Sequence, residues 1–278
     1  MKTIELNSAE NIIVAIIFEP KVFNGRLILM NSATGAKQTY FKHFANYLCE
    51  RGFRVITYDY SGIGLSAPKS LRGYKTSMMQ WGTTDLTTML DYIAENQIYD
   101  KLILIGQSVG GQIYGLSPTI HHADGFVNVA AQSGYFGMWR FPGSLFILLN
   151  WFNMTLLTRL VGYFPGKRLR IVGNLPKGVA LDWSKWGRSK EYFFDHFDNA
   201  AEIYARLNVP LLSYSFSDDT TAPIDNVKWM NAKYKNCPLT HKHYKPSDIN
   251  VKSIGHFGFF RPKCQVLWDD LIEEVLKF

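Results

Sequence analysis

The sequence predicts an α/β chain: a mostly parallel central sheet flanked by helices, with an inserted helical cap. Three observations carry this reading. Strand-like and helix-like segments alternate from about residue 26 onward, a pattern that calls for right-handed crossovers and a parallel sheet. Lys101–Ile105 is a strand that is wholly apolar after its first residue, as expected where both faces of a sheet are covered. The stretch from Ser133 to about Ala200 breaks the rhythm and is rich in Trp, Phe and Tyr. Residues 1–132 and 201–278 are therefore expected to form the core domain, and residues 133–200 an inserted cap.

Thr3–Leu6 and Ile12–Phe18 are β-branched runs separated by a polar turn and predict a hairpin. Arg26–Met30 is a third strand. From Tyr40 to Arg51, Phe41, Phe44, Ala45 and Leu48 fall on one helical face, and Gly52 follows as a C-terminal glycine. Phe53–Tyr58 is a strand, and Asp85–Asn96 a helix with Leu86, Met89, Leu90 and Ile93 on one stripe. Gly125–Ala131, Val209–Phe216 and His241–Lys245 complete the strands, and Pro262–Phe278 is a terminal amphipathic helix.

The 278 residues suffice for one large core, since folding is expected to leave roughly 12,000 Å² exposed. Aromatic residues make up 15% of the chain, which favours an aromatic-lined pocket. The net charge is +7, but basic residues are scattered and the densest run is only Lys167–Arg170. Nucleic acid is therefore not an expected partner. The three cysteines are widely spaced, which argues against a disulfide framework. Glu5 and Glu10 interrupt the N-terminus, so no signal peptide is read there, and a cytoplasmic protein is expected. Phe141–Thr158 is uncharged over 18 residues, but Pro142, Gly143, Asn150 and Asn153 would be costly in lipid. A buried or interfacial helix is expected there, with peripheral lipid contact through the cap, and no integral span.

Gly106-Gln107-Ser108-Val109-Gly110 fits G-x-S-x-G, directly after the apolar strand and before a helix-compatible segment. A serine on such a tight strand-to-helix turn is pushed out at the carboxyl edge of the sheet. The expected helix behind it would place partial positive charge near developing negative charge. Such a serine needs a base, and His256 stands between the last strand and the last helix, flanked by Gly255 and Gly258. The imidazole needs a carboxylate to orient it. Asp218 and Asp219 both follow the penultimate strand, and Asp219 is preferred. The backbone N–H groups of Val109 and Ala33 are the candidate oxyanion donors. Other motifs carry less. Gly62-Ile-Gly64-Leu-Ser66-Ala67 fits a dinucleotide fingerprint, but Pro68 follows at once and disfavours the helix this motif needs. His241 and His243 have no third ligand at usable spacing. No cofactor or metal is expected.

Together these residues resemble the α/β-hydrolase superfamily, in its serine aminopeptidase and monoacylglycerol-lipase-like branch. The resemblance extends to a bacterial subgroup of predicted hydrolases through Ile254-Gly-His-Phe-Gly-Phe-Phe-Arg261. It implies Ser108 as nucleophile, Asp219 as acid and His256 as base. One departure is the Asn31-Ser32 pair, where many relatives carry His-Gly. The leading expectation is an esterase acting on a small or medium apolar acyl substrate. The alternatives are an aminopeptidase-like amide hydrolase, using a carboxylate pair from among Glu191, Asp195, Asp198 and Glu202, and a non-catalytic ligand-binding protein on the same fold.

Overall fold

A computed structural model describes all 278 residues. Its main sheet has eight strands: β1 (Lys2–Ser8), β2 (Asn11–Phe18), β3 (Arg26–Asn31), β4 (Arg54–Asp59), β5 (Lys101–Gln107), β6 (Gly125–Val129), β9 (Leu211–Phe216) and β10 (Leu239–Tyr244). The order is β1-β2-β4-β3-β5-β6-β9-β10. Only the β1–β2 and β2–β4 pairs are antiparallel. The chain enters at one edge as a hairpin and then builds a parallel sheet through crossovers.

Both faces of the sheet are covered, and side chains alternate between them. Leu27, Leu29, Leu102 and Leu104 pack on one face with helix α3 (Leu86–Asn96). Ile28, Met30, Ile103 and Ile105 pack on the other with α1 (Lys42–Cys49) and α9 (Gln265–Val275). Gly52 ends α1 at φ +88°, a left-handed value that glycine adopts at no steric cost. The three cysteines are unpaired.

Residues 133–200 hold α4 (Gly143–Val161), β7 (Tyr163–Phe164), α5 (Gly166–Leu169), β8 (Leu175–Pro176) and α6 (Lys177–Gly187). Strands β7 and β8 pair antiparallel over two residues each. Trp151, Phe164, Leu175, Val179 and Trp186 join the same core cluster as the sheet leucines. Of the buried and interfacial alternatives expected for this helix, α4 is not buried all round. It buries Trp151, Met154 and Thr158, but its opposite face is open to solvent. Charge-free and apolar composition alone cannot tell a buried face from an exposed one.

Helices α7 (Ala200–Arg206) and α8 (Ile224–Asn231) have no counterpart among the elements expected from sequence. Each is too short for its period to stand out, and α8 buries Asn226 and Asn231 beside Val227 and Met230. Helix α3 is preceded by a single α-turn, α2 (Met78–Gln80), and a π-turn over Trp81–Asp85.

The Asp59–Ala67 segment is a structural knot. Asp59 accepts hydrogen bonds from the backbone N–H groups of Gln38 (2.7 Å) and Leu65 (2.8 Å). Gly64 lies at φ +52°, and a Cβ there would stand 2.2 Å from the Asp59 carboxylate. The glycines thus let the backbone wrap its own aspartate.

Asp85 ties β1 to the loop after β4. It accepts from the hydroxyls of Ser8 (2.6 Å) and Ser61 (2.8 Å) and from the Ser61 N–H (2.8 Å). Burial outweighs these bonds and pushes its carboxyl up to about 6. The folded state therefore holds this proton more tightly than the unfolded chain. Its contribution to stability is full below about pH 4 and is lost as pH rises through about 6. Denaturant titrations of wild type and Asp85→Asn across this window check the sign. Relative to the variant, the wild type should lose on the order of 3 kcal/mol, because each tenfold difference in proton affinity between the folded and unfolded states is worth roughly 1.4 kcal/mol. Parallel pH profiles would refute it.

Candidate active site

Ser108 follows the last residue of β5, at the carboxyl edge of the sheet between β3 and β6. Its φ is +52°, a left-handed value that costs a non-glycine residue free energy and persists only where neighbours enforce it. The neighbours are glycines for a steric reason. A Cβ on Gly106 would lie 2.4 Å from Gly110 C and Gly111 N. One on Gly110 would lie 2.2 Å from Asn31 O, and one on Gly111 would lie 2.5 Å from Asn128 Oδ1. The turn after β5 thus rests directly against the loop that leaves β3.

The helix expected behind Ser108 is absent as a regular α-helix. Short 3-10 turns take its place at Ser108–Gly111, Tyr114–Leu116 and Ile120–His122. Carbonyls that an α-helix would engage are taken by tyrosine hydroxyls instead. Tyr234 donates to Gly111 O at 2.9 Å, and Tyr204 donates to Gln112 O. The Tyr204 ring occupies the space of a Cβ on Gly115, 2.5 Å away. Glycines at 110, 111 and 115 weaken helix propensity, and the buried tyrosines supply the competing partners. The favourable helix-dipole contribution anticipated from sequence therefore lacks its helix.

Asp219 and His256 meet. His256 Nδ1 lies 2.8 Å from Asp219 Oδ2, and the Asp219 side chain is almost wholly buried. The other Asp219 oxygen accepts from the N–H groups of Thr221 and Ala222, both at 2.9 Å. Asp218 faces the same loop differently: it accepts from the backbone N–H groups of Ile254 (2.8 Å) and Gly255 (3.0 Å). One aspartate holds the imidazole and the other holds the backbone that carries it. The loop is further anchored by Phe259 and Phe260, which are buried against Phe44. Gly258 permits the turn, since a Cβ there would stand 2.0 Å from Ile254 O.

Gln107 joins the two halves of the site. Its side-chain amide donates to His256 O at 2.9 Å, so the residue before Ser108 grips the residue carrying the imidazole. The Ser108 hydroxyl itself contacts Gln132 Oε1, at 3.5 Å, and not His256. Gln132 is in turn held by Gln112, whose amide donates to Gln132 O at 2.6 Å. Sequence reasoning missed Gln107 and Gln132. The one available signal was their place at the ends of β5 and β6, on the edge where the serine emerges.

Ala33 and Val109 are both buried beside the turn. The Ala33 N–H is engaged by no acceptor of the protein. Val109 is the second residue of its 3-10 turn, where N–H groups lack an intrahelical partner. The side-chain oxygen of Asn31 accepts from the Tyr58 hydroxyl at 2.7 Å. A cavity of about 300 Å³ opens beside Thr34, Tyr40, Ile171, Phe257 and Arg261, next in chain to Ala33 and His256. The carboxylates anticipated for an ammonium site are engaged or solvated. Glu191 pairs with Lys233 at 2.6 Å, Asp195 accepts from the Glu191 N–H, and Glu202 faces Arg206. His241 and His243 both bond to the Ser215 hydroxyl, at 2.8 and 2.7 Å.

Residues 26–177 match the model of a family described as serine aminopeptidase, S33. No curated protein matches the chain. Among solved structures, an esterase from Thermogutta terrifontis superimposes with a TM-score of 0.66 at 15% identity, covering 100% of this chain and 99% of that one. An esterase from Exiguobacterium antarcticum gives 0.66 at 15% identity, covering 98% of each. A monoacylglycerol lipase from Paleococcus ferrophilus gives 0.64 at 15% identity, covering 95% and 98%. At these identities the likeness establishes the fold, that of an α/β-hydrolase.

The tyrosine supports beneath the turn are testable by stability. Tyr204→Phe and Tyr234→Phe each leave a buried carbonyl without a donor, so each should cost about 1–3 kcal/mol in urea unfolding. Values within about 0.5 kcal/mol of wild type, the range of an indifferent surface change, would contradict this role.

Proposed function

Because the chain belongs to the serine aminopeptidase S33 family of α/β-hydrolases, we propose that it is a serine hydrolase of carboxylic esters, with Ser108, His256 and Asp219 as its triad. The observation that supports this most is the 2.8 Å bond between His256 and Asp219, held through Gln107 beside the strained turn of Ser108.

In this mechanism Asp219 accepts a hydrogen bond from the Nδ1–H of His256, which fixes the tautomer and leaves Nε2 as the base. Ser108 Oγ leaves Gln132 by rotation about its Cα–Cβ bond and turns toward Nε2. Catalytic hydrogen bonds are often long or unmade before substrate arrives. Oγ attacks the ester carbonyl carbon as its proton passes to His256. The tetrahedral oxyanion is held by the N–H groups of Val109 and Ala33. His256 returns the proton to the departing alkoxide, leaving an acyl-serine. Water then repeats the sequence, with His256 as base, and frees the acid.

An ester is preferred to an N-terminal peptide because Glu191 and Glu202 are already ion-paired, to Lys233 and Arg206, and Asp195 and Asp198 are open to solvent. Residues 133–200 are proposed as the cap over the site. Their apolar and aromatic content favours a small or medium apolar acyl group.

A fluorophosphonate probe should label the wild type and fail to label Ser108→Ala. Ser108→Ala and His256→Ala should each lower turnover of a p-nitrophenyl ester by at least about 10³-fold, as for triad members elsewhere. Turnover of aminoacyl-naphthylamides should be slower than that of the ester. Undiminished labelling of Ser108→Ala would overturn the assignment.

A further inference from the structure

Helix α4 is 19 residues long and apolar enough to cross a membrane. It is nevertheless fastened to α6 along one side. Ser184 of α6 donates to Trp151 O at 2.6 Å, and Thr155 meets the same hydroxyl at 2.6 Å. The Trp151 indole fills the space of a Cβ on Gly187, 2.2 Å away. The helix therefore presents one face only. On it, Leu145, Leu149, Phe152, Leu156 and Leu160 are all exposed, Leu156 by 56% and Leu160 by 74%. Their spacing of four, three, four and four residues makes one stripe along the outer side. Phe141, 80% exposed, continues it beyond the N-terminus of the helix.

The charge around this stripe is one-sided. From Gly125 to Leu181 there is no Asp or Glu, while Arg140, Arg159, Lys167, Arg168, Arg170 and Lys177 are present. These six carry nearly all of the chain's net charge of +7. None of them is in an ion pair within the protein, and all six are exposed.

We propose that the outer face of α4 is a docking surface for an anionic lipid bilayer, with the helix lying in the interface plane. An apolar stripe between unpaired cations is what an interfacial helix needs: leucines and phenylalanines enter the acyl boundary while arginines and lysines meet lipid phosphates. A second copy of the chain is disfavoured as occupant, because the six unpaired cations of this acid-free stretch would face the same six of the other copy. A span is disfavoured because it would break the packing of Trp151 on α6. An apolar groove of about 370 Å³ runs along the inner flank of the stripe, lined by Phe146, Trp151, Met154, Leu157 and Ile171 among others. Ile171 also lines the cavity beside Phe257. A docked helix thus places a groove suited to apolar chains against the bilayer. The docking itself does not rest on the hydrolase reading.

The test is sedimentation of the full chain with vesicles, read without turnover. Vesicles of phosphatidylcholine are compared with ones containing about one third phosphatidylglycerol, at low and high salt. Wild type should partition onto the anionic vesicles at least about tenfold better than onto the neutral ones, and salt should weaken it. Leu149→Glu with Leu156→Glu should abolish binding. Arg159→Gln with Arg168→Gln should weaken it at least about tenfold while leaving the stripe intact. Circular dichroism and thermal midpoints verify that these surface variants fold. Equal partitioning onto neutral and anionic vesicles would overturn the proposal. So would absence of vesicle binding, including the case where the leucine variant instead dissolves a self-associated form and so identifies the stripe as a contact between copies.

Discussion

The contact on which the site depends is backbone against backbone: the turn after β5 pressed onto the loop after β3. Gly106 packs against the backbone of Gly110 and Gly111, and Gly110 lies against the carbonyls of Asn31 and Ser32. No side chain, even a methyl group, fits between them. This contact sets the left-handed turn at Ser108 directly against the loop that carries Ala33. The strain at Ser108 is thus a consequence of packing and is sustained by the parallel strands on either side.

The second half of the site is built on different physics. The loop carrying His256 has no regular structure of its own, and hydrogen bonds and aromatic packing fix it. Asp218 binds its backbone, Asp219 binds its imidazole, Gln107 binds its carbonyl, and Phe259 and Phe260 sink into the core behind it. Adjacent aspartates after one strand divide the work because successive residues leaving β9 point in different directions.

Much of this was legible in the sequence, for reasons that particular residues make plain. Leu27–Met30 and Leu102–Ile105 declare buried parallel strands because no polar residue interrupts them. The spacing of Phe41, Phe44 and Leu48 before Gly52 reports a helix and its end together. The failures arose where tertiary partners override local pattern. The segment after Ser108 reads as a helix, but its carbonyls are claimed by Tyr204 and Tyr234, residues about a hundred positions away. Gln132 lies in no motif and Gln107 fills a variable position of one, and only the meeting of β5 and β6 at one edge gives them meaning. For α4 the sequence left a buried and an interfacial helix both open, because hydrophobicity reports what a helix contains and not what covers it.

If the turn at Ser108, the Ala33 loop and the His256 loop form one reacting centre, a single trapped adduct should touch all three. The most direct measurement is a crystal structure of the protein after reaction with a monoalkyl fluorophosphonate. The expected result is phosphorus bonded to Ser108 Oγ, with the phosphoryl oxygen about 3 Å from the N–H groups of both Val109 and Ala33. The His256 imidazole should lie beside the adduct, still held by Asp219. Phosphorus on another residue, or a phosphoryl oxygen turned away from both N–H groups, would contradict a shared centre.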